Sequence, residues 1–436
     1  MKISVVGTSY VGLVIGACLA QQGNTVTCVD KNPAIINTLA QGGQTIHEEG
    51  LYSILEKNRD RISFTTGMEQ GVKNSQVIFL AVDTPQADDG SADLRALQEA
   101  ATQIASHMDG YRIIINKSTS PPGTAARIAS WISAGYHDDF DVIANPEFLR
   151  EGNAIHDFVH PDRILIGLDE ASPRARSLHS TLTELYRPFS DNIVFTSRES
   201  AELAKYASNT MLALRIAFIN EIARLAEATG SNIDEVRKAV SMDHRIGEHY
   251  LQCGPGFGGN CFSKDIMALS QIARDKGITP DVTMAAITAN NRHREHILQK
   301  ILDAYDNDIT GKTFLIWGVA FKPGTDDTRG SAAIYIAEQL VLRGADVRAF
   351  DPVATLQNIP DQHITHLDTQ YQTIAESDAL IILTPWDQFT NPDINLLSQL
   401  RDKTIFDMHN LYNPAVMRDA GFRHISLGRP NRQPSQ

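Results

Sequence analysis

The chain has 436 residues, 42% hydrophobic and 21% charged, with a formal net charge of −13 at pH 7. Such a length exceeds one ordinary domain and implies two or three, while the acidic balance argues against general nucleic-acid binding, so an anionic ligand needs a local basic site. No apolar run reaches the roughly 18 residues of a membrane span.

At the start, MKISVVGTSYVG lacks the long apolar run and cleavage site of a signal peptide and reads as a first core strand. Lys2–Val6 is expected as that strand, Gly7-Thr8-Ser9-Tyr10-Val11-Gly12 as a turn, Val11–Gln22 as a helix and Thr25–Val29 as a second strand ending at Asp30. This order is that of a dinucleotide-binding unit: the glycines admit the pyrophosphate, the helix N-terminus holds it, and the acid some 20 positions on takes the ribose hydroxyls. Asp30 favours NAD over NADP, whose extra phosphate it would repel. Ser9 stands at the middle glycine position and raises a question of strain, because serine adopts positive φ less readily.

Further strands are expected at Val77–Val82 and Arg112–Asn116, continuing the α/β alternation. Thr196 and Glu199 have capping-box spacing, opening a helix through about Ala226 that Gly230 ends. Its Leu203, Ala207, Met211, Leu214, Phe218, Ile222 and Leu225 make it apolar over much of its circumference, so it should be buried, in part against a second subunit. A second α/β unit starts at Lys312, with strands at Thr313–Trp317 and Asp346–Phe350, a helix at Ala332–Arg343, and no glycine fingerprint. The expected division is 1–195, 196–300 and 301–427, followed by a disordered tail, 428–436.

Cys18, Cys28, Cys253 and Cys261 form neither a metal-ligand spacing nor a disulfide framework, which fits reduced thiols in a cytoplasmic enzyme. Cys261 lies in Gly254-Pro255-Gly256-Phe257-Gly258-Gly259-Asn260-Cys261-Phe262-Ser263-Lys264-Asp265, read as a glycine-rich loop with little apolar packing. There it reads as a thiolate nucleophile with Lys264 near enough to favour the anion, rather than as a small packing residue. Lys205 and Asn209, four apart on the long helix, share a face and suit an oxyanion; a solvated stripe is the alternative. Glu147 and Glu151 have the same spacing, and one of them, with a modestly raised pKa, suits a general base; a surface acidic pair is the alternative. Thr119 follows a strand, where α/β sheets present ligands, or caps a helix. His156 and His160 have metal-compatible spacing but no third ligand, and no metal is expected.

Together GTSYVGL, VDTPQADDGSADL, KSTSPPGT, NPEFLREG, PDRILIG, AELAKYASN, FINEIA, RIGEHYL, GPGFGGNCFSKD and FKPGTDDTRGS resemble, in order, the UDP-glucose/GDP-mannose dehydrogenase family. The resemblance implies an N-terminal Rossmann-type NAD domain, a central dimerising helix, and a C-terminal domain for the sugar nucleotide. It implies a four-electron oxidation of UDP-glucose, in which Cys261 traps an aldehyde as a thiohemiacetal and a second NAD leaves a thioester. By the same resemblance Lys205 and Asn209 stabilise oxyanions, Asp265 and Thr119 position water or relay protons, and Glu147 is the base for thioester hydrolysis. Gly7, Tyr10, Val11, Gly12, Asp30, Thr84, Thr119, Glu151, Lys264 and Arg329 match cofactor positions. Glu147, Phe148, Leu149, Arg150, Glu151, Lys205, Asn209, Tyr250, Leu251, Gly254, Gly258 and Lys322 match substrate positions, and Arg245 matches one that reaches across a dimer. Departures from the family pattern are Ser9, Ile35, Pro385 and His409. Oxidation of GDP-mannose or of a UDP-N-acetylhexosamine is the nearest alternative. A two-electron hydroxyacid dehydrogenase and an NAD-binding regulator are others, neither of which needs the cysteine.

Overall fold

Short runs rich in aliphatic residues, several of them closed by Gly, Asp or Asn, become the strands of two sheets. In the computed structural model, which describes residues 1–356 and 363–430, the chain divides into two units. One is Met1–Ser208 with Met267–Ile278, and the other is Asn209–Ile266 with Thr279–Gln436.

The first unit holds β1 (Lys2–Val6), β2 (Thr25–Val29), β3 (Ile62–Thr65), β4 (Val77–Leu80), β5 (Arg112–Asn116), β6 (Phe140–Ala144), β7 (Ile164–Leu168) and β8 (Ile193–Ser197). Their order is β3-β2-β1-β4-β5-β6-β7-β8, parallel except where β6 meets β7. Both faces are covered: Val5, Phe79 and Ile115 pack into one core, Val6, Leu80 and Ile114 into another. That double burial is why these strands read as continuous apolar runs. The winding reverses between β1 and β4, which opens a ligand crevice at the carboxyl ends of the strands.

The second unit repeats the winding with β9 (Thr313–Trp317), β10 (Asp346–Phe350), β11 (Ile364–His366), β12 (Ala379–Ile382), β13 (Thr404–Asp407) and β14 (Arg423–Ser426), in the order β11-β10-β9-β12-β13-β14. Asp351, the counterpart of Asp30, accepts from the backbone amides of Val319 and Ala320 at 2.8 and 3.0 Å and from those of Val353 and Ala354. Its carboxylate is thus engaged in holding the loop after β9.

A single helix, Arg198–Thr229, gives its first part, to Ser208, to the first unit and the remainder to the second. The central segment, expected over 196–300 as a body of its own, is therefore apportioned between both. The cap differs from expectation by one residue. Thr196 is taken by β8, and Ser197 Oγ accepts from Ser200 N at 3.2 Å. Nor is the helix buried all round. Leu203, Met211, Phe218 and Leu225 are exposed, between 44% and 60%, and their spacing of seven or eight residues aligns them in one stripe.

Tail residues 431–436 lie outside the described residues, but the expectation of disorder fails at Gly428 and Arg429. Gly428 N donates to Glu227 Oε1 at 2.8 Å, and Arg429 Nε donates to Asp234 Oδ2 at 2.6 Å. Glu227 also accepts from Lys300 and His296, and this cluster holds its carboxyl down at about 2 against the upward push of burial.

Replacing the Ser197 hydroxyl should cost about 1 kcal/mol as a lost helix cap. Ser197→Ala is expected to lower the urea midpoint accordingly, while Thr196→Val leaves it nearly unchanged.

Candidate active site

The first unit carries a set of candidate residues that begins on the turn after β1. Gly7 has φ +98°, and a side chain there would run into the Ala81 carbonyl, so the backbone must pass close to the strand end. Ser9 resolves the question its sequence position raised. With φ −69° and ψ −169° it is extended and unstrained, and its hydroxyl points to Asp83 Oδ1 at 3.3 Å. Asp30 accepts from Thr8 N and Thr8 Oγ1 at 2.8 and 2.9 Å, joining the turn to the end of β2. Tyr10, Val11 and Gly12 open the helix Tyr10–Gln21. Tyr10 Oη donates to Glu48, which also accepts from Gly152 N and Ala154 N at 2.8 and 2.7 Å. A glycine cradle, a helix N-terminus and an acid on the second strand fit a dinucleotide, with Gly7, Tyr10, Val11, Gly12 and Asp30 as the residues that would hold it. Ile35 packs on the core beneath.

Beside that crevice Thr84 Oγ1 donates to Thr119 O at 2.7 Å, fixing the loop after β5 to the loop after β4. Glu147, following β6, is 8% exposed, and its Oε1 lies 2.8 Å from Lys205 Nζ. Neither the surface acidic pair nor the solvated stripe survives: Lys205 is 4% and Asn209 7% exposed. The raised pKa expected for a base is also overturned for Glu147. Burial pushes its carboxyl up, but Lys205, the Leu149 amide at 2.5 Å and Lys117 outweigh that and bring it below the ordinary value. Phe148 lies between the Arg163 guanidinium, 3.6 Å from its ring centre, and the Lys205 ammonium at 5.4 Å. Arg150 turns outward to Asp157 at 2.6 Å, and Glu151 is partly buried.

The second unit carries a set of its own. Cys261 is not in a loop, as its glycines suggested, but in the first turn of the helix Gly259–Asp275, and it is exposed. A helix N-terminus places unpaired amides and the positive end of the macrodipole around a sulfur, which favours its anion. Cys261, Lys264 and Asp265 fall at i, i+3 and i+4, on one face. Asp265 is 1% exposed and accepts from Asn209 Nδ2 at 2.7 Å and from Lys264 Nζ at 2.6 Å.

The preceding loop is strapped down by the helix Asp281–Asp303. Asn290 accepts from Phe257 N at 2.9 Å and donates to Phe257 O at 3.1 Å, and Arg294 reaches Phe257 O and Gly330 O, both at 2.7 Å. His293 Nε2 donates to Gly254 O at 2.9 Å, and its imidazole, held down at about 4 by burial, stays neutral. Gly256, at φ +112°, has Asn290 Oδ1 where a side chain would begin. Gly254 accepts no side chain either, since the His409 ring would lie 2.9 Å from it. Leu251 is buried, Tyr250 sits at φ 61°, and Gly258 faces Gly330 O. Lys322 lies 5.7 Å from the Phe321 ring, and Arg329 pairs with Asp327 at 2.8 Å while its carbonyl accepts from Gly259 N. Arg245 pairs with its neighbour Asp243 and is otherwise exposed. Pro385 follows Thr384, whose hydroxyl donates to Ala320 O at 2.6 Å. The rings of His156 and His160 are 5.3 Å apart, and among the described residues no group of three or more His, Cys, Asp or Glu could hold a metal.

Three family models match the chain in order: the NAD binding domain of the UDP-glucose/GDP-mannose dehydrogenase family over residues 1–190, its central domain over 199–292 and its UDP binding domain over 315–414. The chain belongs to that family. The UDP-glucose 6-dehydrogenase of Rhizobium meliloti (strain 1021) is 40% identical, over 99% of this chain and all of its own. The UDP-glucose 6-dehydrogenase TuaD of Bacillus subtilis (strain 168) is 39% identical, over 98% of this chain and 93% of its own. Among solved structures, a UDP-glucose dehydrogenase from Pyrobaculum islandicum superposes with a TM-score of 0.90 at 33% identity, covering 97% of this chain and 96% of its own. A UDP-D-ManNAc dehydrogenase from Pyrococcus horikoshii gives 0.86 at 27%, covering 98% and 99%. Like its family, the chain is an NAD-dependent oxidoreductase.

Among the buried ionisable groups that the motifs do not single out, Lys117 acts on the Glu147–Lys205 pair through space and Glu202 shares the helix of Lys205. Lys117, in KSTSPPGT, is 5% exposed and donates to Asn145 Oδ1 at 3.2 Å. Glu202, three residues before Lys205, accepts from Gly123 N and Ala125 N at 2.6 and 2.7 Å and so caps the helix Thr124–Ser133. Burial pushes its carboxyl up to about 7 in spite of those amides. A carboxyl with a folded value above its unfolded one favours the fold at low pH and loses that contribution as pH rises. Relative to wild type, Glu202→Gln should therefore gain about 3 kcal/mol in urea unfolding as pH rises from about 4.5 to 8. A difference independent of pH would overturn this.

Proposed function

We propose that the chain oxidises UDP-glucose at C6 to UDP-glucuronate in two steps with NAD, through a covalent adduct on Cys261. The observation that carries this reading is an exposed thiol in a helix first turn, with a buried Asp265 one turn further on, held by Asn209 and Lys264. NAD accepts a hydride in each of the two oxidations. In the first, Lys205 and Asn209, on successive turns of one helix, steady the developing alkoxide. The Cys261 thiolate adds to the aldehyde carbon, giving a thiohemiacetal whose oxyanion the same two groups stabilise. Loss of hydride from that carbon leaves a thioester. Water, positioned by Asp265 and Thr119 and deprotonated by Glu147, then releases the carboxylate and regenerates the thiol. A one-step dehydrogenase has no use for such a thiol.

By the same reading Thr84, Thr119, Glu151, Lys264 and Arg329 serve the cofactor. Phe148, Leu149, Arg150, Tyr250, Leu251, Gly254, Gly258 and Lys322 serve the sugar nucleotide. A thiol nucleophile has to stay reduced, which suits the cytoplasm. The stripe of Leu203, Met211, Phe218 and Leu225 supports a homodimer, with Arg245 reaching the partner copy, because an aligned apolar row of this length is costly to leave in water.

The reaction test supplies UDP-glucose, GDP-mannose and UDP-N-acetylmannosamine separately with NAD. Two NADH per UDP-glucose, with uronate as product, is the expected result; one NADH per substrate rejects the thioester route, and preference for another sugar moves the substrate assignment. Cys261→Ser should lower turnover by at least 10²-fold while UDP-glucose binding, read by calorimetry, is retained. Phe218→Glu should convert the dimer to a monomer in light scattering; unchanged mass overturns the helix-stripe interface.

A further inference from the structure

Lys117 and Lys205 are the buried lysines among the described residues of the first unit, and of the two only Lys205 has a part in the proposed chemistry. Lys117 follows β5, whose end places its backbone amide on Leu80 O at 2.8 Å. Its ammonium donates to Asn145 Oδ1. Asn145 is itself immobile: its Nδ2 donates to Leu165 O at 2.6 Å, its backbone amide to Asn116 O at 2.9 Å, and its Oδ1 also accepts from Tyr186 Oη. Two residues beyond Asn145 is Glu147, paired with Lys205. The Glu147 carboxylate thus has one ammonium bonded to it, while a second, buried ammonium is held on Asn145, two residues before it, and acts through space.

We propose that Lys117 is a positioning residue of the oxidation site, one that fixes the charge and orientation of the Glu147–Lys205 pair from beneath while Asn145 holds it in place.

The electrostatics follow from sign alone. Glu147 is drawn to its ionised form by Lys117 as well as by Lys205. Burial brings Lys117 down to about 8, with Glu147 opposing and repulsion from the Lys205 ammonium adding a smaller push in the same direction. Lys117 therefore loses its proton more easily than a surface lysine does. When it does so, Glu147 and Lys205 become a pair of balanced charge. The charged or titratable groups around Lys117 are Glu147 after β6, Lys205 on the long helix and, across Asn145, Tyr186, whose hydroxyl burial keeps neutral. Glu202, one turn before Lys205, is occupied by the amides of Gly123 and Ala125.

This assignment rests on the dehydrogenase reading, so its test has two arms. In the first, kcat and KM for UDP-glucose are followed from pH 6 to 10 in wild type, Lys117→Met and Lys117→Arg. Loss of the cation makes both neighbours harder to deprotonate, so both limbs of the Lys117→Met profile should move up by about one pH unit, with kcat falling more than KM changes. Lys117→Arg should restore the acid limb and abolish any inflection near pH 8, because a guanidinium does not lose its proton there. Superimposable profiles, or an Arg variant as impaired as the Met variant, overturn the proposal. The second arm needs no turnover: the melting temperatures of Lys117→Met, Glu147→Gln and the double variant. The two changes should be non-additive at pH 7 and approach additivity at pH 10, where Lys117 is neutral; additivity at both overturns the proposal. If Lys117→Met does not fold, Lys117→Arg takes its place in this arm: it should be additive with Glu147→Gln at pH 7, where both residues carry the charge, and non-additive at pH 10, where only the guanidinium does; additivity at both overturns the proposal. A wild type without NADH formation would sink the dehydrogenase reading and leave this second arm to decide Lys117 by itself.

Discussion

The ion pair between Glu147 and Lys205, 2.8 Å long and almost sealed from water, is the constraint on which the candidate residues of the first unit depend. Removing one partner of such a pair typically costs about 3–5 kcal/mol, because the other charge is left buried and uncompensated. The pair joins three pieces of chain that meet only in the fold: the loop after β6, the long helix and, through Lys117, the loop after β5. It also sets the chemistry. Glu147 is ionised at neutral pH because its neighbours hold it so, and in the proposed hydrolysis it would accept a proton by virtue of position more than of intrinsic basicity.

The candidate residues of the second unit rely on backbone that side chains cannot enter. Gly254 and Gly256 lie against His409 and Asn290 so closely that no Cβ fits, and Asn290, His293 and Arg294 satisfy the carbonyls of the loop. The cost of ordering a glycine-rich segment, large because glycine has the most freedom to lose, is met before any ligand arrives. The loop therefore hands Cys261 to its helix in one fixed orientation, which is what reaction at a particular carbon demands.

Much of this architecture was legible in the sequence. Lys2–Val6, Thr25–Val29, Arg112–Asn116, Thr313–Trp317 and Asp346–Phe350 are strands with the expected bounds, since each is an apolar run buried on both sides and stopped by a residue that favours turns. Local rules failed where a neighbour distant in sequence decides. Thr196 has cap chemistry, but β8 pairs with β7 through Ser197 and the helix starts only at Arg198, so the hydroxyl that directly precedes it is that of Ser197. The glycines before Cys261 suggested a loop continuing through it, whereas Gly259, at φ +77°, is the point where the chain turns into a helix. The state of Glu147 depends on Lys205, 58 positions away, and no local pattern carries that. Lys117 and Glu202 did leave a signal: a lysine directly after an apolar strand, and a glutamate one turn before a buried lysine.

Burial divides the four sulfhydryls unequally. Cys18, Cys28 and Cys253 are enclosed and pushed up to about 12, whereas Cys261 is open to solvent. Toward an electrophile or peroxide the folded molecule therefore behaves as though it possessed one sulfhydryl. Alkylating reagents would find a single address on the native protein, and, under the proposed mechanism, oxidative stress would silence it by modifying one atom while leaving the scaffold intact.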